Sequence, residues 1–175
     1  MKLLLIRHAL AADREEFART GADDDERPLT GKGRRRMQSI VRGLRGFLDL
    51  PEPAALWTSP LVRAVETAAI VHRELGGPEP EESDALRPDA RPEALLAALR
   101  ALAPADDATV AAVGHEPHLS TTASWFLTGR ERPLLDVKKG SAVLLDLGDD
   151  PEPGAALLLW ALPPRALRQM EPGPK

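Results

Sequence analysis

The chain has 175 residues, a net charge of −4 and a pI near 5.6. That length suits one domain able to bury its own core, and the acidic balance excludes bulk attraction to nucleic acid or an anionic membrane. The absence of cysteine excludes disulfides, thiolate metal sites and thiol catalysis, and an aromatic content of 3% argues against a base-stacking surface.

The opening run Leu3 to Ile6 is apolar and ends in the polar pair Arg7-His8. It is too short for a signal-peptide core, and no apolar run in the chain approaches a membrane span, so a soluble, cytoplasmic protein is expected. A short continuous apolar run reads as a strand buried on both faces that delivers polar residues at its carboxyl end. Residues 11–27 are polar, carry the acidic cluster Asp23-Asp24-Asp25-Glu26, and read as a surface loop.

Thr30 can cap a helix to about Leu48, with Met37, Ile40, Val41, Leu44, Phe47 and Leu48 on one stripe. Its cations, Lys32 and Arg34-Arg35-Arg36, fit a solvated face better than a docking patch. Ala54 to Thr58 reads as a second strand. Ser59-Pro60 then offers an N-cap and a first-turn proline for a helix to Leu75 that buries Leu61, Val65, Ala68, Ala69 and Leu75.

After a Pro/Glu-rich stretch, a short strand is expected around Ser83 to Leu86. Pro92 opens a helix through Leu102, with Leu95, Leu96, Leu99 and Leu102 inward. Thr109 to Val113 is a third apolar strand, leading into Gly114-His115-Glu116-Pro117 and a helix that stops at Gly129. Ser141 to Leu147 and Ala155 to Leu162 read as two strands joined by a Pro/Gly/Asp-rich connection. A proline-rich tail with disordered last residues is expected from Pro163.

Strands alternating with helices imply a three-layer α/β/α sandwich, its sheet mostly parallel with an antiparallel edge. In such sheets ligands bind beyond the carboxyl ends of the strands. Arg7-His8, Ser59 to Arg63 and Gly114-His115 all follow predicted strands and so share one rim. Arginine forks match phosphate oxygens, and a neutral imidazole is a competent nucleophile toward phosphorus. A second histidine, protonated, would add positive charge where negative charge develops. A cation at Arg63, in the first turn of a helix, is misplaced unless an anion binds there. This arrangement calls for neither metal nor cofactor.

The segments Leu5-Ile6-Arg7-His8-Ala9, Arg27 to Gly33, Thr58 to Ala68 and Val113 to Pro117 together resemble the histidine phosphatase superfamily, which includes the phosphoglycerate mutases. The resemblance implies a phosphoglycerate mutase-like fold, a single domain over residues 1–165 and a tail over 166–175. It implies His8 as nucleophile, with Arg7, Arg63 and His115 completing the phosphate pocket. Within the superfamily the chain is most similar to the short SixA-type phosphohistidine phosphatases, because only Leu75 to Pro92 separates the Arg63 helix from the next. That leaves no room for a large helical cover.

Two departures stand out. Ala9 occupies a position that is usually glycine in the family, and this is costly only if the backbone φ there is positive. No glutamate stands where phosphoester-cleaving members keep a general acid; Asp84 is the best-placed substitute, with Glu116 and Asp13 behind it. The expected substrate is therefore phosphohistidine on a signalling protein such as a phosphotransfer domain. A small phosphomonoester and a silent phosphate- or phosphoprotein-binding module are the alternatives, and a mutase fits least. Other polar residues have simpler readings: Ser59 as a cap, His118 as a helix-surface or mouth residue, His72 as exposed, Glu66 as a surface residue or a partner for an arginine. Trp57, Trp125 and Trp160 read as core.

Overall fold

The computed structural model describes residues 1–48, 52–102 and 107–172. In chain order its elements are β1 (Lys2–Arg7), α1 (Arg14–Ala18), α2 (Gly31–Leu48), β2 (Ala55–Thr58), α3 (Val62–Leu75), β3 (Glu81–Glu82), α4 (Pro92–Leu102), β4 (Thr109–Gly114), α5 (His118–Thr128), β5 (Ala142–Asp146), β6 (Leu157–Leu162) and α6 (Pro164–Gln169). The six strands form one sheet in the order β3-β2-β4-β1-β5-β6. β3, β2, β4 and β1 run parallel, whereas β5 is antiparallel to both β1 and β6. The mostly parallel sheet with an antiparallel side matches the pattern expected from sequence.

Strand alternation sorts β1 between two cores. Leu4 and Ile6 face α2, α3 and α6, where Met37, Ile40, Val41, Leu44, Ala68, Val71 and Leu167 pack. Leu3 and Leu5 face α4 and α5, against Leu95, Leu99, Leu119, Ala123 and Phe126. Every residue of β4 is buried, and its Ala111 and Ala112 let helices on both faces approach the centre of the sheet. Truncating Leu5, fully buried, to alanine should cost about 2–5 kcal/mol.

This topology places the carboxyl ends of β1, β2 and β4 side by side. β4 pairs with both β1 and β2, so the loops after the three strands open onto one rim.

Several local expectations need correction. Residues 11–27 are not a plain loop. Asp13 accepts from the amides of Glu15 and Glu16 and starts α1, and Asp23 likewise caps a 3₁₀ turn, Asp24–Glu26. α3 begins at Val62 without a side-chain cap, because its N-cap is the apolar Leu61 and Ser59 lies two residues earlier, its hydroxyl beside His115. Val65 is only half-buried and Ala69 is exposed. The strand expected at Ser83 to Leu86 is instead β3 at Glu81–Glu82, followed by a 3₁₀ turn, Asp84–Leu86. Leu102 is exposed, since it lies past the last turn of α4 that meets the sheet.

The stretch after Pro163 is helical. Pro164 sits at the start of α6, where a proline is tolerated, and Leu167 is fully buried against α2. The tail expected over 166–175 thus begins inside α6, and its last residues, 173–175, lie outside those described. The side chains of Phe47 and Leu48 do too. Thr30 does cap α2, its Oγ1 accepting from the Gly33 amide at 2.9 Å. Trp57 and Trp125 are buried, and Trp160 is partly buried on the α2/α3/α6 side.

Candidate active site

The strand-end rim encloses a cavity of about 640 Å³ whose walls include Arg7, His8, Arg63, His115, Glu116 and Lys139. His8 follows β1 directly, and its amide bonds the Gly114 carbonyl at 3.0 Å, continuing the β1–β4 ladder to the residue itself. Its Nδ1 lies 2.7 Å from the Ala9 carbonyl, so that nitrogen carries the proton and Nε2 keeps a free lone pair. His115 follows β4, with ring centroids 5.0 Å apart between the two imidazoles. Its Nε2 lies 2.9 Å from Ser59 Oγ, while Nδ1 is buried without a partner among the described residues.

Burial, with His8, Arg63, His118 and Arg7 adding repulsion, pushes His115 down to about 2. Burial, together with Arg63, Arg7 and Lys139, pushes His8 down to about 3, although its bond to the Ala9 carbonyl works the other way. Both imidazoles are therefore neutral at pH 7 as they stand, which departs from the protonated His115 expected from sequence. A phosphate dianion among these groups would raise both.

Arg63 occupies the first turn of α3 and is almost fully buried. Its guanidinium donates to the Asp24 carbonyl at 2.7 Å and lies 3.3 Å from the Asp24 carboxylate. The same carboxylate pairs with Arg27 at 2.8 Å and with Arg14 at 3.4 Å. The Arg27 hydrogen bond is the largest influence holding the Asp24 carboxyl below its ordinary value. Asp25 pairs with Arg87, tying the acidic turn to the segment before α4. Arg7 points its guanidinium at the Val137 carbonyl, 2.8 Å away. Burial lowers the pKa of Arg7 and Arg63, yet guanidinium groups stay cationic at any working pH.

Two neutral imidazoles and two anchored guanidinium groups thus line one cavity, an arrangement with the charge and donors to take a tetrahedral oxyanion. A sequence model of the histidine phosphatase superfamily (branch 1) matches residues 3–88. An uncharacterized protein of the cyanobacterium Picosynechococcus is 36% identical over 148 residues, covering 85% of this chain and 86% of its own. The chain belongs to the histidine phosphatase superfamily.

Among solved structures, the protein histidine phosphatase SixA complexed with tungstate superposes with a TM-score of 0.80 at 25% identity, covering 95% of this chain and 99% of SixA. A candidate phosphohistidine phosphatase SixA from Nakamurella superposes at 0.74 with 26% identity, covering 93% and 95% of the two chains. The phosphoglycerate mutase-like fold expected from sequence is the one observed.

The superfamily's position after the first histidine is alanine here, and it causes no strain. Asp107 is the only non-glycine residue with positive φ among those described, so Ala9 has an ordinary backbone. Its amide donates to Thr67 Oγ1 at 3.1 Å, and that hydroxyl donates to the Arg63 carbonyl at 2.6 Å. Thr67 thus joins the His8 loop to the Arg63 helix.

Of the candidate acids, Asp84 does not line the cavity: its side chain is 87% exposed and lies 3.8 Å from Arg87. Asp13 reaches the cavity wall but is engaged as the α1 cap, and the amides it accepts from keep it ionised. Glu116 lines the cavity. Its carboxylate accepts from the Ser120 amide at 3.0 Å and from the Ser120 hydroxyl, while burial raises its pKa.

His118 is neither a mouth nor a surface residue. It is buried on the inner side of α5, with Nε2 beside Thr122 Oγ1. Glu66 pairs with Arg34 and accepts from the Leu29 amide at 2.7 Å, so it fixes the 27–31 segment rather than the phosphate pocket. Among the described residues no cluster of three or more His, Asp or Glu side chains stands where it could hold a metal ion.

Sequence reasoning missed Asp24, Arg27, Lys139 and Thr67. Asp24 was hidden in a run of four acids that reads as solvated. Lys139 sits in a segment without regular structure. Arg27 and Thr67 stood in motifs, and only their contacts, with Asp24 for Arg27 and with the Ala9 amide for Thr67, reveal their places.

Proposed function

We propose that the protein is a phosphatase that works through a phosphohistidine formed on His8, and that its substrate is phosphohistidine on a protein. The observation that carries this reading is the tethered His8. Nδ1 is committed to the Ala9 carbonyl, leaving Nε2 as a nucleophile inside a cavity walled by Arg7, Arg63 and His115.

In the first step His8 Nε2 attacks phosphorus and the bond from phosphorus to the departing nitrogen breaks, with the two arginines holding the equatorial oxygens. A substrate imidazole protonated on its other ring nitrogen departs as the neutral ring, and one that is not takes a proton from solvent at the departing nitrogen. Water then attacks the phosphoryl group on His8, the P–N bond breaks, and phosphate leaves with His8 restored. His115 gains a proton once the phosphoryl dianion is near, and then donates to it.

Three features favour a protein-borne phosphohistidine. The loop between α3 and α4 is short and contributes only Pro88 to the wall, so the cavity stays open to a large partner. An imidazole leaves from phosphorus more readily than an alkoxide, which needs a positioned acid. The chain is also similar to SixA over nearly its whole length.

A second reading, a small-phosphomonoester phosphatase, is favoured by Glu116 alone, a carboxyl of raised pKa on the cavity wall. The test is phosphate release from a phosphohistidine-bearing phosphotransfer domain and from a panel of small phosphoesters, with wild type and His8→Ala. Release from the protein substrate, lost in the variant, supports the proposal. Release only from esters transfers the assignment to the second reading. Phosphate binding with no release from either would make the chain a silent binding module.

A further inference from the structure

Beside the phosphate cavity lies a second, smaller cleft of about 130 Å³. Leu10 and Lys139 line both, so the two spaces are neighbours divided by those side chains. The floor of the cleft is apolar, built from Ala9, Met37 and Ile40, all buried. Gly140 keeps the floor open. At φ +80°, a Cβ added there would lie 2.8 Å from Ile40 Cδ1 and 3.6 Å from Pro164 Cβ.

The rim of the cleft carries Arg36, Lys139 and Arg168, and no carboxylate lines it. Several nearby cations are matched, Arg34 by Glu66, Arg42 by Glu74 and Glu171, and Arg27 by Asp24, whereas Lys32 and Arg35, exposed on α2 outside the cleft, form no ion pair among the described residues. None of the three rim cations forms an ion pair among the described residues. What sets Arg36, Lys139 and Arg168 apart, in a chain of net charge −4, is that they converge on one apolar notch beside the phosphate site with no carboxylate in its lining.

We propose that this cleft is a subsite for an acidic side chain of the phosphohistidine-bearing protein. The apolar floor takes the methylenes of a glutamate, and the guanidinium groups of Arg36 and Arg168 take its carboxylate. The proposal rests on the phosphohistidine reading above. It assigns Arg36, which the sequence alone places on a solvated helix face, to substrate selection.

The experiment compares two phosphohistidine peptides, one with glutamates flanking the phosphohistidine and one with glutamines there. Wild type should turn over the glutamate peptide with a kcat/KM about tenfold higher, carried by KM. The Arg36→Glu/Arg168→Gln variant should lose that preference while hydrolysing a small phosphoramidate within about twofold of wild type, which also shows that it is folded. A preference that is absent in wild type, or that survives in the variant, overturns the proposal. So does an equal loss in a Lys32→Glu/Arg35→Glu control, because those exposed residues lie outside the cleft.

Binding of the unphosphorylated peptides, read by fluorescence anisotropy, separates this idea from the phosphohistidine reading. If neither phosphopeptide is turned over, that reading fails. The subsite then stands only if the glutamate peptide binds wild type more tightly than the glutamine peptide and the variant does not discriminate. Equal binding refutes it.

Discussion

The two halves of the strand-end cavity are built in different ways. One half, His8, His115 and Arg63, grows from strand ends and a helix start and is almost fully buried. The other, Asp24, Arg27 and Lys139, comes from segments between regular elements, and its Asp24 and Arg27 are held by ion pairs instead of by sheet register. Register fixes the first half wherever the core packs correctly. The second half depends on charge balance, so substitutions there should tune the site and substitutions in the first should abolish it.

The largest effect is expected at the strand-end half. His8→Ala should lower kcat by about 10⁴-fold while leaving the fold intact, checked by phosphate release and by circular dichroism. Arg63→Ala should follow, with a loss of about 10²–10³-fold in kcat, because one anchored donor set for the developing charge disappears.

The acid–base behaviour of the same half gives a stability test. Both histidines are pushed far below their ordinary value of 6.5 in the fold. Below that pH the unfolded chain binds more protons than the native one, so stability is complete above about pH 6.5 and falls as pH drops toward the folded values. The Tm should therefore decrease between about pH 7.5 and pH 5, and a His8→Gln/His115→Gln variant should show a smaller decrease. An unchanged slope would mean that these imidazoles are not held neutral by burial.

The loop half should respond more gently. Asp24→Asn removes a carboxylate that competes with phosphate for Arg63, Arg27 and Arg14. Inhibition by inorganic phosphate should strengthen by about fivefold, the scale of one screened charge at contact, while Tm falls. Weaker inhibition would instead make Asp24 an essential support for Arg63. The smallest effect is expected for Glu116→Gln, which should change phosphohistidine turnover by less than about threefold, since an imidazole leaves without a strong acid. A large loss confined to small esters would sharpen the second reading.

The same contrast explains what was legible in the sequence. Leu3 to Ile6 and Thr109 to Val113 are continuous apolar runs, and the polar residues that end them had to emerge at one rim, so His8, Arg7 and His115 were readable. Arg63 was readable because a cation in the first turn of a helix looks misplaced. Asp84 failed as an acid because a residue's direction from a short turn is set by local caps, and here a 3₁₀ turn leaves it in solvent. Glu116, next in line, was found on the wall only because β4 carries His115 there. Asp24 and Lys139 carry no periodic signal: Asp24 meets Arg63 across 39 residues, and Lys139 reaches the cavity wall from a segment far along the chain. The helix at α6 was masked by prolines, one of which sits where a helix accepts it.

The central claim is that His8 accepts the phosphoryl group. The most direct measurement is to quench turnover of a phosphohistidine substrate rapidly in alkali, which preserves phosphohistidine, and to locate the added phosphoryl group by peptide mass spectrometry. A phosphoryl group on His8, absent from His8→Ala and unaffected by Glu116→Gln, is the expected result. Turnover with no phosphorylated His8, or with label on His115, would contradict the account.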